Sequence, residues 1–244
     1  MRNLTLIVTI AATASVTAGL AQAELTGIDI GTPGNPLYAG STQNTGPGQY
    51  TVSGGGSDIW HDAGDHFQFA FQPLAGDCQI TARVLSIDDT HRWAKAGVMI
   101  RQDLSYTSLY AMTCVTPLEG VPFQGRDEPP GSFHHGHCWN LGNQYGEMVP
   151  YWVRLVREGN TFTGYRSADG NSWEQIAEPH TYPPQYAWSE NCYVGLAVTA
   201  HNNDALCTAV FDNVQIVPEP STLLLLAVGG LALAASAWRK RRRS

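Results

Sequence analysis

The sequence predicts an all-β protein, a two-sheet antiparallel β-sandwich, set between an N-terminal signal peptide and a C-terminal transmembrane helix. Three observations predict the sandwich. Apolar residues recur at every second position through the middle of the chain, the period of half-buried strands. Short runs rich in Gly, Asn, Asp and Pro separate these segments at even spacing, as turns do. No ten-residue window between the two ends carries a 3.6-residue period.

Residues 1–23 read as a secretion signal. Arg2 supplies the basic start, Leu4 to Leu20 is uncharged, and Ala21-Gln22-Ala23 is a small-x-small cleavage pattern. A buried core helix would show polar residues at helical spacing, and this stretch has none. The mature chain is expected to begin near Glu24, cut by signal peptidase.

Residues 24–217 form the predicted domain, with an irregular lead-in to about residue 50. Gly31-Thr32-Pro33-Gly34-Asn35-Pro36 typifies the lead-in, and Gln49 to Ser53 is its one short strand. The alternation then begins. Phe67, Phe69 and Phe71 alternate with His66, Gln68 and Ala70, and Cys78, Ile80, Ala82 and Val84 alternate with Gln79, Thr81 and Arg83. Ala96, Val98 and Ile100 repeat the pattern against Lys95, Gly97, Met99 and Arg101. Tyr151 to Arg157 and Thr161 to Arg166 flank a tight turn at Glu158-Gly159-Asn160. Cys192 to Thr199 and Cys207 to Ile216 make the last pair, across His201-Asn202-Asn203-Asp204.

Residues 218–244 differ in kind. Val217-Pro218-Glu219-Pro220-Ser221 is a stiff spacer, Thr222 to Trp238 is uncharged and Leu/Ala-rich, and Arg239-Lys240-Arg241-Arg242-Arg243 is a basic cluster. The apolar run is at the short end of what spans a bilayer, with the cluster on the cytoplasmic side. Val217, Pro218, Glu219 and Pro220, placed directly before such a helix, resemble the PEP-CTERM sorting signal. The resemblance implies cutting by an exosortase, transient anchoring in the inner membrane, delivery to the cell envelope or outside it, and a link to exopolysaccharide production. A permanent single-span anchor is the alternative.

Charge and cysteine content narrow the function. Residues 24–218 keep eight basic and twenty acidic residues, a net charge near −12. That excludes nucleic acid, whose binding needs a positive face, and suits an extracellular module with an affinity for divalent cations. Five cysteines, Cys78, Cys114, Cys138, Cys192 and Cys207, lie in this exported domain, where disulfides are permitted. The odd count leaves at least one thiol free or paired between chains. Cys114 with Cys138 is the favoured bridge, since both fall in strand-like segments flanking one loop. Other pairings stay open.

Several strings together are similar to the bacterial concanavalin A-like lectin/glucanase sandwich, over about residues 50–217. They are Asp58-Ile59-Trp60, Gly76 to Val84, Trp93 to Arg101, Phe123-Gln124-Gly125-Arg126, Ser167-Ala168-Asp169-Gly170 and Phe211-Asp212-Asn213-Val214. The resemblance implies a jelly roll with one concave sheet. Its superfamily includes lectins, hydrolases and purely structural modules, so function rests on the site.

A glycosidase reading finds little support. The glucanases resembled here carry Glu-x-Asp-x-x-Glu on one strand, and that string is absent. Neither Gly-x-Ser-x-Gly nor His-Glu-x-x-His occurs. His134-His135-Gly136-His137-Cys138 is ligand-like in composition, yet in a strand only His135 and His137 would share a face. Asp212 is a candidate for a structural Ca2+, against a plain hydrogen-bonded Asp. Ser167 to Trp173 reads as an Asp-box turn with a structural role. Sugars stack on indole and phenol rings while Arg, Gln and Asn bond their hydroxyls. The candidates for that work are Trp60, Trp93, Arg101, Tyr110, Gln124, Arg126 and Trp139, with Tyr151 beside them. Trp93 and Trp152 are also the indoles expected in the core. Arg101 and Arg126 alternate outward, so they are expected on a surface or in a salt bridge. The reading reached is an exported, non-catalytic polysaccharide-binding module. A matrix or adhesion protein with no glycan site is the alternative, and a glycoside hydrolase the lesser one.

Overall fold

The computed structural model describes residues 24–31, 38–60, 64–129, 137–143, 146 and 148–218. The signal peptide, Glu219 and Pro220, the apolar run, and His134 and His135 lie outside the described residues.

Fifteen strands and one short 3-10 turn, Pro184–Tyr186, make up the described regular structure. The strands are β1 (Thr26–Ile30), β2 (Ser41–Gly46), β3 (Gln49–Gly56), β4 (Phe67–Ala75), β5 (Cys78–Ile87), β6 (Lys95–Arg101), β7 (Tyr110–Val115) and β8 (Phe123–Glu128). They continue as β9 (His137–Leu141), β10 (Tyr151–Glu158), β11 (Thr161–Ser167), β12 (Glu174–Gln175), β13 (His180–Thr181), β14 (Asn191–Thr199) and β15 (Asn202–Pro218). One sheet has seven strands in the order β1-β4-β14-β6-β7-β8-β9. The other runs β12-β11-β10-β5-β15-β3-β2, with β13 also on β11. Every pairing is antiparallel.

The inter-sheet core follows from the alternation. Ile80, Ala82 and Val84 of β5, Val153 and Leu155 of β10, and Phe211 of β15 meet Ala96, Val98 and Ile100 of β6 and Val194, Leu196 and Val198 of β14. These are apolar side chains, most of them β-branched or small, on one face of each strand, as sheet-on-sheet packing requires. The turns also form as the sequence reads. Gly159-Asn160 joins β10 to β11. The Asp169 carboxylate accepts N–H bonds from Asn171 (2.8 Å) and Ser172 (2.7 Å), with Trp173 edge-on to Trp152.

The lead-in departs from expectation. It holds β1 and β2 as well as β3, where one strand was expected. Both extra strands are sheet edges, and β2 is largely exposed and polar (Ser-Thr-Gln-Asn-Thr-Gly). Its backbone pairing with β3 needs no apolar face, so periodicity gives no sign of it. The last strand also outruns its expected end: Val217 and Pro218 belong to β15, opposite Gln79 and Cys78.

A second apolar cluster lies on the other face of the seven-stranded sheet. It joins Phe67, Phe69, Phe71, Met99, Tyr110, Met112 and Cys114 to Ile30 and Ile59. Residues 57–60 and 64–66, between β3 and β4, lie over that face as a strap. Both faces of β6, β7 and β8 are therefore buried through most of their length. The strap starts at Gly56, whose φ of 105° is left-handed and where a Cβ would sit 2.3 Å from the His66 carbonyl.

Candidate functional site

The strap is held by polar side chains rising from the sheet. Tyr110 and Gln124 both donate to the Ile59 carbonyl, at 3.1 and 3.0 Å, and Gln124 also donates to the Tyr110 hydroxyl at 3.2 Å. Arg126 donates to the Trp60 carbonyl. Beneath the strap one carboxylate, Asp65, binds two arginines. Arg126 holds both of its oxygens, at 2.9 and 2.6 Å, and Arg101 takes one at 3.1 Å. All three side chains are fully buried. Arg101 donates further to the Asp103 and Ser105 carbonyls, and Arg126 to that of Ser108. The guanidiniums lie 5.2 Å from the ring centres of Phe67 and Tyr110 respectively. Burial lowers the Arg101 pKa; burial acts the same way on Arg126, but the Asp65 charge and hydrogen bonds outweigh it and raise that pKa.

A cavity of about 310 Å³ opens beside the strap, lined by Asp58, Trp60, Trp93, Lys95, Gln124, Asn140 and His201. Register explains the convergence. Gln124 of β8 lies opposite Asn140 of β9, and Lys95 opens β6 opposite Thr199 of β14, two residues before His201. Asp58 of the strap binds Lys95 through one oxygen and His201 through the other, the latter at 3.2 Å. Burial pushes the Asp58 pKa up, but the hydrogen bonds and charges of His201 and Lys95 outweigh it and hold the pKa at about 2. His201 stacks on His91 with ring centres 4.2 Å apart, and Lys95 lies 5.8 Å from the Trp93 ring centre. Burial, then the charge of His201, lowers the His91 pKa. Two indoles thus share a small opening with one ion-paired carboxylate, an ammonium, an imidazole and two amides.

Three of the seven residues expected to meet a sugar, Trp60, Trp93 and Gln124, line this cavity. The other four do not. Arg101 and Arg126 are in the salt-bridged interior rather than on a surface. Tyr110 is fully buried under the strap, and Trp139 is in the inter-sheet core, edge-on to Phe123 at 4.8 Å. Trp93 and Trp152, expected in the core, are only half-buried, the first in the cavity and the second outside both clusters. Asp58, Lys95, Asn140 and His201 were missed as site residues. Asp58 and Lys95 sit in the strings Asp58-Ile59-Trp60 and Trp93-Ala94-Lys95, which was the available signal. Asn140, in β9, and His201, in the β14–β15 turn, lie far away in the chain and carry none.

Two further expectations are corrected. Asp212 is paired with Arg83 through both oxygens, Nε at 2.8 Å to Oδ1, and Asn213 donates to Oδ1 at 2.9 Å. A guanidinium therefore holds the oxygens a Ca2+ would need. Among the described residues no group of three or more His, Cys, Asp or Glu is gathered as metal ligands. Cys114 and Cys138 cannot bridge. β8 lies between their strands, and Cys138 is level with Tyr110, four residues along β7 from Cys114. Two strand spacings, about 9.5 Å, already exceed the reach of a disulfide. His137 bonds Asp127, as does His180 at 3.1 Å.

The two antiparallel sheets, with one short 3-10 turn among the described residues, make a β-sandwich. Solved structures share that fold. A Saccharomyces cerevisiae protein described as functionally unknown aligns with a TM-score of 0.56 at 14% identity, over 81% of this chain and 97% of that one. The GH43 protein BlXynB from Bacillus licheniformis aligns with a TM-score of 0.52 at 16% identity, over 71% of this chain and 33% of that one. The chain thus spans about a third of the length of BlXynB. No curated protein matches it in sequence. Residues 217–243 match the PEP-CTERM protein-sorting motif. The protein is accordingly one exported to the cell envelope or surface, sorted by an exosortase.

Proposed function

We propose that the protein is a non-catalytic carbohydrate-binding module, holding a sugar unit of an extracellular polysaccharide in the cavity between Trp60 and Trp93. The observation that carries the reading is the composition of that cavity. Indole rings offer faces for sugar C–H groups, and Gln124, Asn140, Lys95 and Asp58 offer donors and acceptors for hydroxyls. At about 310 Å³, the cavity is at the small end of ligand sites, roughly 300–1,000 Å³, which suits one ring rather than a long chain. The sorting tail fits such a ligand, since it sends the protein to the polysaccharide-rich exterior.

The electrostatics favour binding over hydrolysis. Glycosidases flank the scissile bond with two carboxyl groups, one of them kept protonated by a raised pKa. Among the described residues lining this cavity Asp58 is the sole carboxylate, and its ion pairs hold it ionised at any physiological pH. It suits accepting a hydroxyl proton in a hydrogen bond and does not suit donating one to a leaving group.

The test is affinity electrophoresis of the exported protein through neutral and acidic polysaccharides, with Trp60→Ala and Trp93→Ala alongside. Retardation by at least one glycan is expected. Each variant should weaken it about tenfold or more, the equivalent of about 1.4 kcal/mol, and melt within a few degrees of the parent. No retardation in any glycan would favour a matrix protein without a glycan site. Undiminished binding by both variants would overturn the assignment of this cavity.

A further inference from the structure

Of the five cysteines, two meet across the core. Cys78 is the first residue of β5, and Cys192 is the second of β14, so they belong to opposite sheets. Both are buried in the inter-sheet cluster. The chain around them is tied together on either side. The Gly76 N–H donates to the Glu190 carbonyl at 2.9 Å, two residues before each cysteine. Arg157, opposite Cys78 in β10, donates to the Ser189 carbonyl at 2.7 Å. The two thiols lie close enough to bear on each other's charge, with Arg157 close to both. That contact raises the Cys78 pKa and lowers that of Cys192 to about 7. The remaining three are set apart: Cys114 and Cys138 by an intervening strand, and Cys207 by its contact with the Asp88 carbonyl at 3.5 Å.

We propose that Cys78 and Cys192 are joined as an inter-sheet disulfide after export, pinning the two sheets together at the end of the sandwich from which the sorting tail leaves. Cys78 is the register partner of Pro218, the last residue of β15 and the second of the sorting motif. The bridge therefore lies where a pull on the tail would first open the domain.

The chemistry is thiol–disulfide exchange with a disulfide-bearing donor, which an oxidising compartment supplies. The Cys192 thiolate attacks one donor sulfur, the donor S–S bond breaks, and one donor thiol leaves. The Cys78 thiolate then attacks the Cys192 sulfur of the mixed disulfide and expels the second donor thiol. Two protein thiols become one S–S bond, and the two electrons and two protons end on the donor. Since both sulfurs are buried in the folded domain, exchange takes place before the core closes.

The test uses the exported protein isolated without reductant and alkylated in denaturant. Expected is a peptide pair linking Cys78 to Cys192, lighter by two hydrogens than the free peptides, with Cys114, Cys138 and Cys207 alkylated. Reduction should lower the melting temperature by about 10 °C, since the bridge closes a loop of more than a hundred residues. Cys78→Ala with Cys192→Ala should melt at one temperature with or without reductant. Alkylation of all five cysteines in the unreduced protein, or a different linked pair, would overturn the proposal. So would a linked protein whose melting does not respond to reductant.

Discussion

Replacing Asp65 by Asn would keep the shape of the side chain and remove its charge. In the folded protein that leaves two fully buried guanidiniums, Arg101 and Arg126, without the carboxylate both of them hold. Removing one partner of a buried ion pair costs about 3–5 kcal/mol, because a charge stays desolvated and unpaired. The backbone carbonyls that Arg101 and Arg126 also bond soften this loss, so the lower half of the range is the firmer figure. Against a domain stability of about 5–15 kcal/mol the loss is large. Melting entropy is about 2.1 cal/mol/K per residue, or about 0.4 kcal/mol/K for the roughly 195 residues of the domain, so the expected fall in melting temperature is about 7–10 °C. Scanning calorimetry of the parent, Asp65→Asn, and the exposed control Asp204→Asn would measure it. The control should melt within a degree or two. An Asp65→Asn melt within 2 °C of the parent would refute the reasoning, since it would mean the arginines need no carboxylate there.

Two other outcomes follow from the same strap and core. Asp58 has a folded pKa of about 2 against an ordinary value of 3.8, so its contribution is present above about pH 4 and is lost as pH falls toward 2. The shift corresponds to about 2 kcal/mol. Urea midpoints between pH 5 and pH 2 should therefore fall more steeply for the parent than for Asp58→Asn, and parallel falls would contradict the pairing with Lys95 and His201. Gly54→Ala would place a Cβ 1.9 Å from the Val198 carbonyl oxygen, where β3 passes β14. Overpacking of this kind costs about 1–3 kcal/mol, and an unchanged melting temperature would show that the two sheets can separate locally.

Much of this fold is legible in the sequence, and the site is legible in part. β4, β5, β6, β10, β11, β14 and β15 announce themselves because each buries an apolar face that alternates with residues of another kind. β1 and β2 do not, because an edge strand can be held by backbone bonds alone. The misplaced residues share one cause. Alternation in β6 and β8 correctly sets Arg101, Gln124 and Arg126 on the face opposite the inter-sheet core, but it says nothing of what covers that face. The strap makes it a second interior. The rule that a buried arginine needs a partner was available, yet twenty acidic residues in the domain gave no means to choose Asp65. The cavity was half visible for a related reason. Trp60, Trp93, Asp58 and Lys95 lie in short strings around β3 and β6, whereas Asn140 and His201 reach it only through strand order, which no local pattern encodes.

On the proposed reading, the same buried groups that were mistaken for ligand contacts would explain how a loop could serve as a binding surface. Loops are ordinarily the mobile part of a β-sandwich, and a sugar-stacking indole on a mobile loop would lose affinity to ordering entropy. Here the carbonyl of Ile59 is held by Tyr110 and Gln124, the carbonyl of Trp60 by Arg126, and the side chain of Asp58 by Lys95 and His201. Three consecutive strap residues are thus fixed from below or from the side by groups on β6, β7, β8 and the β14–β15 turn. The arginines need not touch a ligand to matter to it. By carrying the strap on a buried ion pair, they set the position of Trp60 in the free protein, so that on the proposed reading the cost of forming the site would be met during folding rather than at binding.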